Sequence, residues 1–153
     1  MKALSLTQPW ATAIALGIKR YETRSWSTGL RGDICIHAAK GFPAYAQQFF
    51  EDQQQEGLLL PDSDLPRGAI IAVCSLTACL HTEDVWPTIE PIERMYGNYE
   101  PGRYAFRLAN VRVLPTPVFC KGALSFWPVP PEIEAQILGQ LEAARSASQG
   151  EKK

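Results

Sequence analysis

Apolar and polar residues alternate with a period of two in several parts of the chain, a pattern typical of strands with one buried face. Residues 68–82 (GAIIAVCSLTACLHT) and 103–114 (RYAFRLANVRVL) are the clearest cases, and the first is long enough to bend around a barrel. Shorter strands are predicted over residues 2–6 and 34–40. The proline-bounded stretch at residues 115–130 predicts a last, edge-like strand.

Apolar spacings of three and four predict a short helix early in the chain. It lies within residues 7–17 (TQPWATAIALG), where Pro9 suits the first turn and Thr7 or Gln8 suits the cap. Gly17 suits a left-handed exit from this helix. One face of the helix carries the apolar side chains, so we expect it to pack on a core.

Further helices are predicted between and after the strands. One covers residues 44–57 and ends near Gly57, and one or two helical turns fall within residues 90–96. Residues 131–146 predict an amphipathic terminal helix. Residues 58–68 (LLLPDSDLPRG) are rich in turn residues and predict a loop.

These elements show no regular alternation of strand and helix, which favours an α+β, mainly β fold: a small bent barrel of about six strands with two to four peripheral helices. The length of 153 residues is close to the usual size of one domain. We expect one domain over residues 1–130, a C-terminal helix packed on it over residues 131–145, and a flexible tail over residues 146–153.

The net charge of −1 argues against a protein that coats nucleic acid through general basicity, although it is compatible with a local basic patch. No apolar run approaches the length of a membrane span, and the N-terminal stretch lacks the apolar core of a signal peptide. We therefore expect a soluble, cytoplasmic protein with no membrane partner, whose four cysteines stay reduced.

The cysteines and histidines do not have the spacing of a structural zinc site, because no C-x-x-C pair exists and the histidines number two. Cys74 and Cys79 lie five residues apart in one predicted strand, so strand alternation predicts that they face opposite ways. No phosphate-binding glycine loop or G-x-S-x-G motif is present. We expect no metal and no cofactor, which leaves acid–base or nucleophilic chemistry.

The segment GIKRYETRSW at residues 17–26 concentrates polar and aromatic side chains behind a helix-ending glycine. In a regular strand Glu22, Arg24 and Trp26 share one face and Thr23 lies on the other. Glu22 and Arg24 are then neighbours that can pair, whereas Lys19, so close to the glycine, need not follow the alternation. Two interpretations stay open: a functional site, or a half-exposed strand with a surface ion pair worth ~0–1 kcal/mol.

Other candidates have simpler structural explanations. Gln8, Pro9 and Trp10 would suit a nucleobase site, since an amide can read a base edge and an indole can stack, but Trp10 is favoured as a core anchor. His37 is favoured as a hydrogen-bonded core histidine over a catalytic base. Glu93 lies in the most irregular part of the chain, where active-site loops are common.

The run LSLTQPWATAIALGIKRYETRSWSTGLRGDICIHAAK resembles the ASCH domain family, relatives of the PUA-like RNA-binding barrels. The hallmark G-x-K-x-x-E-x-R of that family stands here as Gly17, Lys19, Glu22 and Arg24. The segments RGAIIAVCSL, YGNYEPGRYAFRL and LPTPVFCKGALSFW fit in the same order, so the resemblance covers roughly residues 3–128.

The resemblance implies a PUA-like bent barrel whose cleft has the early helix as its roof and the hallmark residues on its floor. Family members include a domain of a human transcription coactivator that looks like a nucleic-acid binder. Others are small bacterial enzymes that remove acyl groups from N4-acetylcytidine with a lysine, a threonine three residues later, a distal glutamate and no metal. The lysine maps to Lys19 and the distal glutamate to Glu93. Glu22 occupies the position of the threonine, and Thr23 comes next to it.

The resemblance therefore implies a metal-independent amidohydrolase that converts N4-acylcytidine to cytidine and a carboxylic acid. Lys19 is expected either to shuttle a proton or to stabilise an oxyanion, and the nucleophile is either water activated by Glu22 or Glu93, or Thr23. The expected substrate-binding residues are Gln8, Pro9, Trp10, Arg24, Trp26 and His37. The alternative is a non-catalytic binder of RNA or DNA, or a single-strand ribonuclease; the partner is accordingly a modified nucleoside or single-stranded nucleic acid.

Overall fold

A computed structural model describes residues 1–56, residue 60 and residues 65–150 of the chain. Most of the predicted loop at residues 58–68 lies outside the described residues, as do Gly57 and the last three residues of the predicted tail. The six strands are β1 (Lys2–Leu6), β2 (Tyr21–Arg24), β3 (Gly32–Ala38), β4 (Ala69–His81), β5 (Tyr104–Phe119) and β6 (Phe126–Pro128).

All six strands belong to one mixed sheet in the order β2-β5-β4-β3-β1-β6. β1 and β3 pair in parallel, and the other neighbours pair antiparallel. The sheet curls into a half-barrel, which confirms the predicted mainly β class and the number of strands. β2 and β6 are its edges, so no backbone ladder closes the ring.

Aromatic side chains join the two edges across the inside of the curl. Trp26 lies just after β2, and its ring meets Phe126 of β6 with a centroid distance of 5.6 Å. Phe106 of β5 contacts both rings, at 5.2 Å from Trp26 and 6.0 Å from Phe126. Such edge-to-face and offset pairs stabilise beyond the area they bury, so this aromatic cluster holds the half-barrel curled.

The sheet has a hydrophobic core on each face. The inner core includes Ile34 and Ile36 of β3 and is covered by α1 (Trp10–Ala15) through residues such as Ile14. The outer core includes Cys35 of β3 and is covered by α5 (Pro131–Gly150) through Ile137. The predicted alternation along β3 is therefore confirmed, and both faces of the sheet are buried.

β4 departs from simple alternation. Its pairing with β5 shifts register at three places, including one between Leu76 and Ala78. Between Leu76 and Ala78, β4 advances by two residues while β5 advances by one, from Leu108 to Arg107, so Thr77 is an extra residue that reverses the facing of the β4 residues beyond it. The prediction for Cys74 and Cys79 is wrong for this reason: Cys74 belongs to the inner core and Cys79 packs against the same core.

The proline-rich stretch continues β5 instead of starting the last strand. Pro115 and Pro117 lie between Val113 and Val118, the residues where pairing with β4 pauses and resumes. A proline there removes no ladder hydrogen bond. The backbone N–H and C=O of Thr116 are instead paired with the side-chain amide of Gln140 on α5.

The helices are more numerous than predicted. The described residues include α2 (Ala44–Gln55), α3 (Thr82–Val85) and α4 (Pro91–Met95) besides α1 and α5, with a short 3₁₀ turn at Trp86–Thr88. α5 runs to Gly150, past its predicted end, because the sequence after residue 145 contains no helix breaker before that glycine. None of the described helices is long and apolar enough to cross a membrane.

Replacing Trp26 with alanine should destabilise the protein, because it removes a ring from the aromatic cluster that joins β2 to β6. Full burial of a tryptophan makes its truncation cost about 3–5 kcal/mol, and Trp26 is only partly buried, so we expect about 2 kcal/mol. Chemical denaturation monitored by circular dichroism measures this loss. Trp86→Ala, at a site 44% exposed, is the matched control and should cost less. Equal losses of stability for both variants would contradict the role of the aromatic cluster in holding the half-barrel curled.

Candidate active site

The turn from α1 into β2 delivers Lys19 to the interior. Gly17 has φ of +77°, a left-handed conformation that ends the helix. The N–H groups of Ile18 and Lys19 both donate to the carbonyl of Ala13, at 3.0 and 3.1 Å. The chain is thereby folded back under the helix, and the Lys19 residue is only 2% exposed.

Lys19 has two partners in this position. Its Nζ donates to the carbonyl of Tyr96 at 2.7 Å and lies 3.4 Å from Oε1 of Glu22. An ammonium has three N–H donors, so these contacts leave one donor for a ligand. A remaining N–H donor in this position suits the stabilisation of a negative oxygen.

The Glu22 carboxylate is the hub of the polar cluster. Its Oε2 accepts from Nε and Nη2 of Arg24 at 3.1 and 3.0 Å, and its Oε1 accepts from the N–H of Thr23 at 3.1 Å. Arg24 Nη2 also donates to the carbonyl of Ser5 at 2.9 Å. The predicted Glu22–Arg24 pair therefore exists, and with the Lys19 contact Glu22 has four donors.

Thr23 is held by a segment far along the chain. Its Oγ1 accepts from the N–H of Asn98 at 3.0 Å, and its carbonyl accepts from Nη2 of Arg103 at 3.3 Å. Arg103 Nε donates to the carbonyl of Asn98 at 3.0 Å. These contacts leave the hydroxyl hydrogen of Thr23 available to a ligand or a base.

The cluster forms the floor of a cleft of about 610 Å³, which we call the Lys19 cleft. Trp10 stacks on Phe49 of α2 with a centroid distance of 5.0 Å, and Tyr45 stands 6.1 Å from Trp10. These three rings make an aromatic wall. The complete lining is Ser5, Leu6, Thr7, Trp10, Lys19, Glu22, Thr23, Arg24, Tyr45, Phe49, Met95, Tyr96, Gly97, Asn98 and Arg103.

The Lys19 cleft carries a positive charge. Its described lining contains the three cations Lys19, Arg24 and Arg103 against the single carboxylate Glu22. Such a floor favours a ligand with a carbonyl or phosphate oxygen, and the aromatic wall favours a flat ring.

Glu93 does not join this cleft. Its carboxylate accepts from the backbone N–H groups of Arg20 and Tyr21 at 2.8–3.0 Å, and it lines a separate concavity on the other side of these residues. The hydroxyl of Tyr99 lies 3.5 Å from it. Burial, reinforced by the charge of Glu93, raises the pKa of Tyr99 far above its usual value, so Tyr99 stays a donor. Glu93 thus positions the segment that carries Lys19.

Gln8 and Pro9 are buried beneath the cleft. Oε1 of Gln8 accepts from the N–H of Thr12, and Nε2 donates to Thr12 Oγ1 and to the carbonyl of Pro66, at 2.7–3.0 Å. The amide has no donor left to read a base edge. Of the predicted trio, only Trp10 lines the cleft.

Trp26 and His37 also lie outside the Lys19 cleft. Trp26 belongs to the aromatic cluster that joins β2 to β6. His37 is 1% exposed, its Nε2 donates to the carbonyl of Cys120, and its Nδ1 accepts from the hydroxyl of Ser5, both at 2.9 Å. Trp127 Nε1 donates in turn to Ser5 Oγ at 3.0 Å. These contacts fit the interpretation of His37 as a hydrogen-bonded core residue.

Sequence reasoning missed several residues of the cleft. Tyr45 and Phe49 are four apart on α2, a spacing that puts them on one helix face. That spacing was the available signal, but it is equally typical of core packing. Asn98 and Arg103 gave no signal, since they act mainly through backbone contacts across about 75 residues. Within the described residues, no three His, Cys, Asp or Glu side chains come together as a metal site would require.

Comparisons with known proteins agree with this architecture. A family model described as the ASCH domain matches residues 4–117. Activating signal cointegrator 1 is 39% identical in Mus musculus and 38% identical in Homo sapiens over 82 residues. That match covers 50% of this chain but 14% of those proteins, so the chain corresponds to a small part of them.

Solved structures with a similar fold include an ASCH protein from Zymomonas mobilis. It superposes with a TM-score of 0.56 and 17% identity, over 90% of this chain and 93% of that one. A single-substitution mutant of the same protein superposes with the same TM-score, and the match covers 96% of the mutant chain. At this identity the likeness shows the fold.

The buried His37 should make stability depend on pH. Burial lowers the pKa of His37 below its ordinary value of 6.5, so below pH 6.5 the unfolded chain binds a proton that the folded chain does not. The free energy of unfolding should therefore fall as the pH drops from 7 to 5, with a slope of at most about 1.4 kcal/mol per pH unit. Denaturation curves across this range measure it. His37→Gln should remove this slope and the exposed control His81→Gln should keep it; a slope lost equally in both would contradict the assignment.

Proposed function

Because the chain belongs to the ASCH domain family, with its PUA-like fold, we propose that the Lys19 cleft binds an N4-acylcytidine and hydrolyses its amide to cytidine and a carboxylic acid. The observation that carries the proposal is a buried, ion-paired lysine with a spare N–H donor on the floor of an aromatic-walled cleft. Convergent polar groups in a cleft with apolar walls are typical of ligand sites.

The aromatic wall supplies the binding of the base. Cytosine is flat, and Trp10 and Tyr45 border the cleft with ring faces on which it can stack. The acyl carbonyl then faces the cationic floor. Lys19 donates its third N–H to the carbonyl oxygen and stabilises the negative charge that develops on it during attack.

The attacking oxygen comes from water or from Thr23, and Glu22 takes its proton. Glu22 is the sole carboxylate in the described lining, and its contact with Lys19 at 3.4 Å is the longest of its four. Oε1 keeps the Thr23 N–H, and a turn of the Lys19 ammonium to the oxyanion frees its other lone pair to accept the proton. The C–N bond then breaks, and Glu22 returns the proton to the leaving amine. With Thr23 as nucleophile, a water repeats the cycle on the acyl-threonine ester.

Incubation of the purified protein with N4-acetylcytidine in the presence of a chelator, and then chromatography of cytidine, tests the hydrolase. Wild-type protein should turn over, and Lys19→Met should lose at least ~10²-fold because the oxyanion loses its donor. Lys2→Met, at an exposed position of β1, is the matched control. Absence of cytidine from wild-type protein across a panel of N4-acyl chains would refute the activity.

Glu93 offers a discriminating variant in the same assay. As a positioning residue, Glu93→Gln keeps one carbonyl oxygen for the N–H groups of Arg20 and Tyr21, and should retain more activity than Glu93→Ala. A general base would lose its function equally in both variants. Equal losses would therefore restore the catalytic role for Glu93.

A second candidate function is binding of RNA or DNA without hydrolysis. The positive floor of the Lys19 cleft favours it, and so does the kinship of the ASCH domain with PUA-like RNA-binding barrels. The negative overall charge weakens it. Cleavage of single-stranded RNA has less support than either, since His37 is fully engaged in the core.

Salt dependence separates the two candidates. A binder that contacts about six phosphates should lose ~10³-fold in affinity between low and moderate salt, whereas turnover of a neutral nucleoside should scarcely respond. Fluorescence anisotropy with labelled single-stranded RNA at several salt concentrations measures the first, and the cytidine assay measures the second. RNA binding that does not weaken with added salt would argue against a binder that contacts the phosphates of RNA or DNA.

A further inference from the structure

A second concavity opens beside the Lys19 cleft. Its volume is about 1010 Å³, and it shares Ser5, Thr7 and Arg24 with the cleft. We call it the basic groove. Its complete lining is Ser5, Thr7, Arg24, His37, Ala39, Lys40, Arg67, Gly68, Phe119, Cys120, Lys121, Gly122, Ala123, Leu124 and Ser125. The two concavities therefore adjoin at Arg24, whose side chain borders both.

The basic groove gathers cations in a chain whose net charge is −1. Arg24, Lys40, Arg67 and Lys121 line it, and its described lining contains no carboxylate. Arg67 is ordered by a hydrogen bond from Nη1 to the carbonyl of Lys40 at 3.1 Å and by the ring of Phe42 5.5 Å away. Arg24 is already paired with Glu22, but the other three cations repel one another unless an anion lies between them, so the arrangement fits a ligand with phosphate groups.

The segment that carries Lys121 is built against the sheet. The carbonyl of Cys120 accepts from His37, and Gly122 packs so closely that a Cβ atom there would lie 2.6 Å from His37 Cε1 and from Ser5 Oγ. A side chain at residue 122 would displace the segment. The buried His37 and Ser5 thus fix the wall of the basic groove.

Exposed apolar side chains stand next to the cations. Phe119 is 69% exposed and Leu124 is 93% exposed, and both line the basic groove. Exposing large apolar groups in this place has no folding benefit. An aromatic ring beside a track of cations is the arrangement that single-stranded nucleic acids use, because phosphates meet the cations while a base stacks on the ring.

We propose that the basic groove binds the phosphates of a single-stranded nucleic acid while one of its bases occupies the Lys19 cleft. Arg24 is the junction, since it lines both. The inference rests on the proposed function, because it places the cytosine base of an N4-acylcytidine in the Lys19 cleft. It makes the substrate a modified residue within a strand, with a neighbouring base on Phe119, in preference to a free nucleoside.

The test compares three probes at equilibrium: a short single-stranded RNA with one N4-acetylcytidine, N4-acetylcytidine 5′-monophosphate, and free N4-acetylcytidine. Lys40→Gln combined with Lys121→Gln should raise the dissociation constant of the RNA at least ~10-fold. It should also reduce the slope of log affinity against log salt by about 1.4, because each single-strand phosphate contributes about 0.7. Lys2→Gln is the matched control, and thermal melting verifies the fold of each variant.

Phe119→Ala adds an independent measurement, since loss of base stacking should weaken RNA binding about tenfold without changing the slope of log affinity against log salt. RNA binding equal in wild type and the double lysine variant would overturn the proposal. So would equal affinity for the RNA and the monophosphate, or equally strong competition by a glutamate-rich peptide of the same charge. Failure of the hydrolase is seen separately, as absence of acetate release from RNA that still binds.

Discussion

The pairing of buried charges around Glu22 is the constraint on which the rest of the site depends. A lysine that is 2% exposed needs a compensating carboxylate, and that carboxylate needs donors for its other lone pairs. Arg24 and the Thr23 N–H supply them. Removing one partner would leave an uncompensated charge in the interior, so the cluster acts as a unit. It leaves one direction open, toward the cleft, where Lys19 has its remaining donor.

The side chains that hold this cluster in place act as substitutes for missing backbone partners. The chain cannot continue a helix or a ladder where it turns from α1 into β2, so N–H groups are left over there. Glu93 accepts from those of Arg20 and Tyr21. The first turn of α1 also has N–H groups without helical partners, and Gln8 accepts from that of Thr12. Glu93 and Gln8, whose chemistry suggests catalysis and base reading, therefore have their polar atoms engaged by contacts within the fold.

Arg24 links the site to the surface beside it. Within a few ångströms it binds Glu22 and the carbonyl of Ser5, and it borders both concavities. A ligand phosphate at Arg24 would compete with Glu22 for the guanidinium. Occupation of the basic groove would then loosen the hold on Glu22, the group that the proposed mechanism uses as proton acceptor. Under the two proposals, strand binding and hydrolysis are therefore coupled through this one side chain.

Local sequence patterns predict β1, β3, β4, the first part of β5, the helix that ends at Gly17 and the Glu22–Arg24 pair, because period and adjacency are properties of a short segment. They also single out Lys19, Thr23 and Trp10. Long-range packing sets the contact of the Lys19 ammonium with Tyr96, the aromatic wall from α2, and the positions outside the cleft of Glu93, Gln8, Trp26 and His37. Those contacts join residues tens of positions apart, and their register is set by the bulges of β4 and by close packing. A local sequence pattern does not encode the bulges or the close packing, because both arise only when distant segments compete for the same space and the same hydrogen-bond partners.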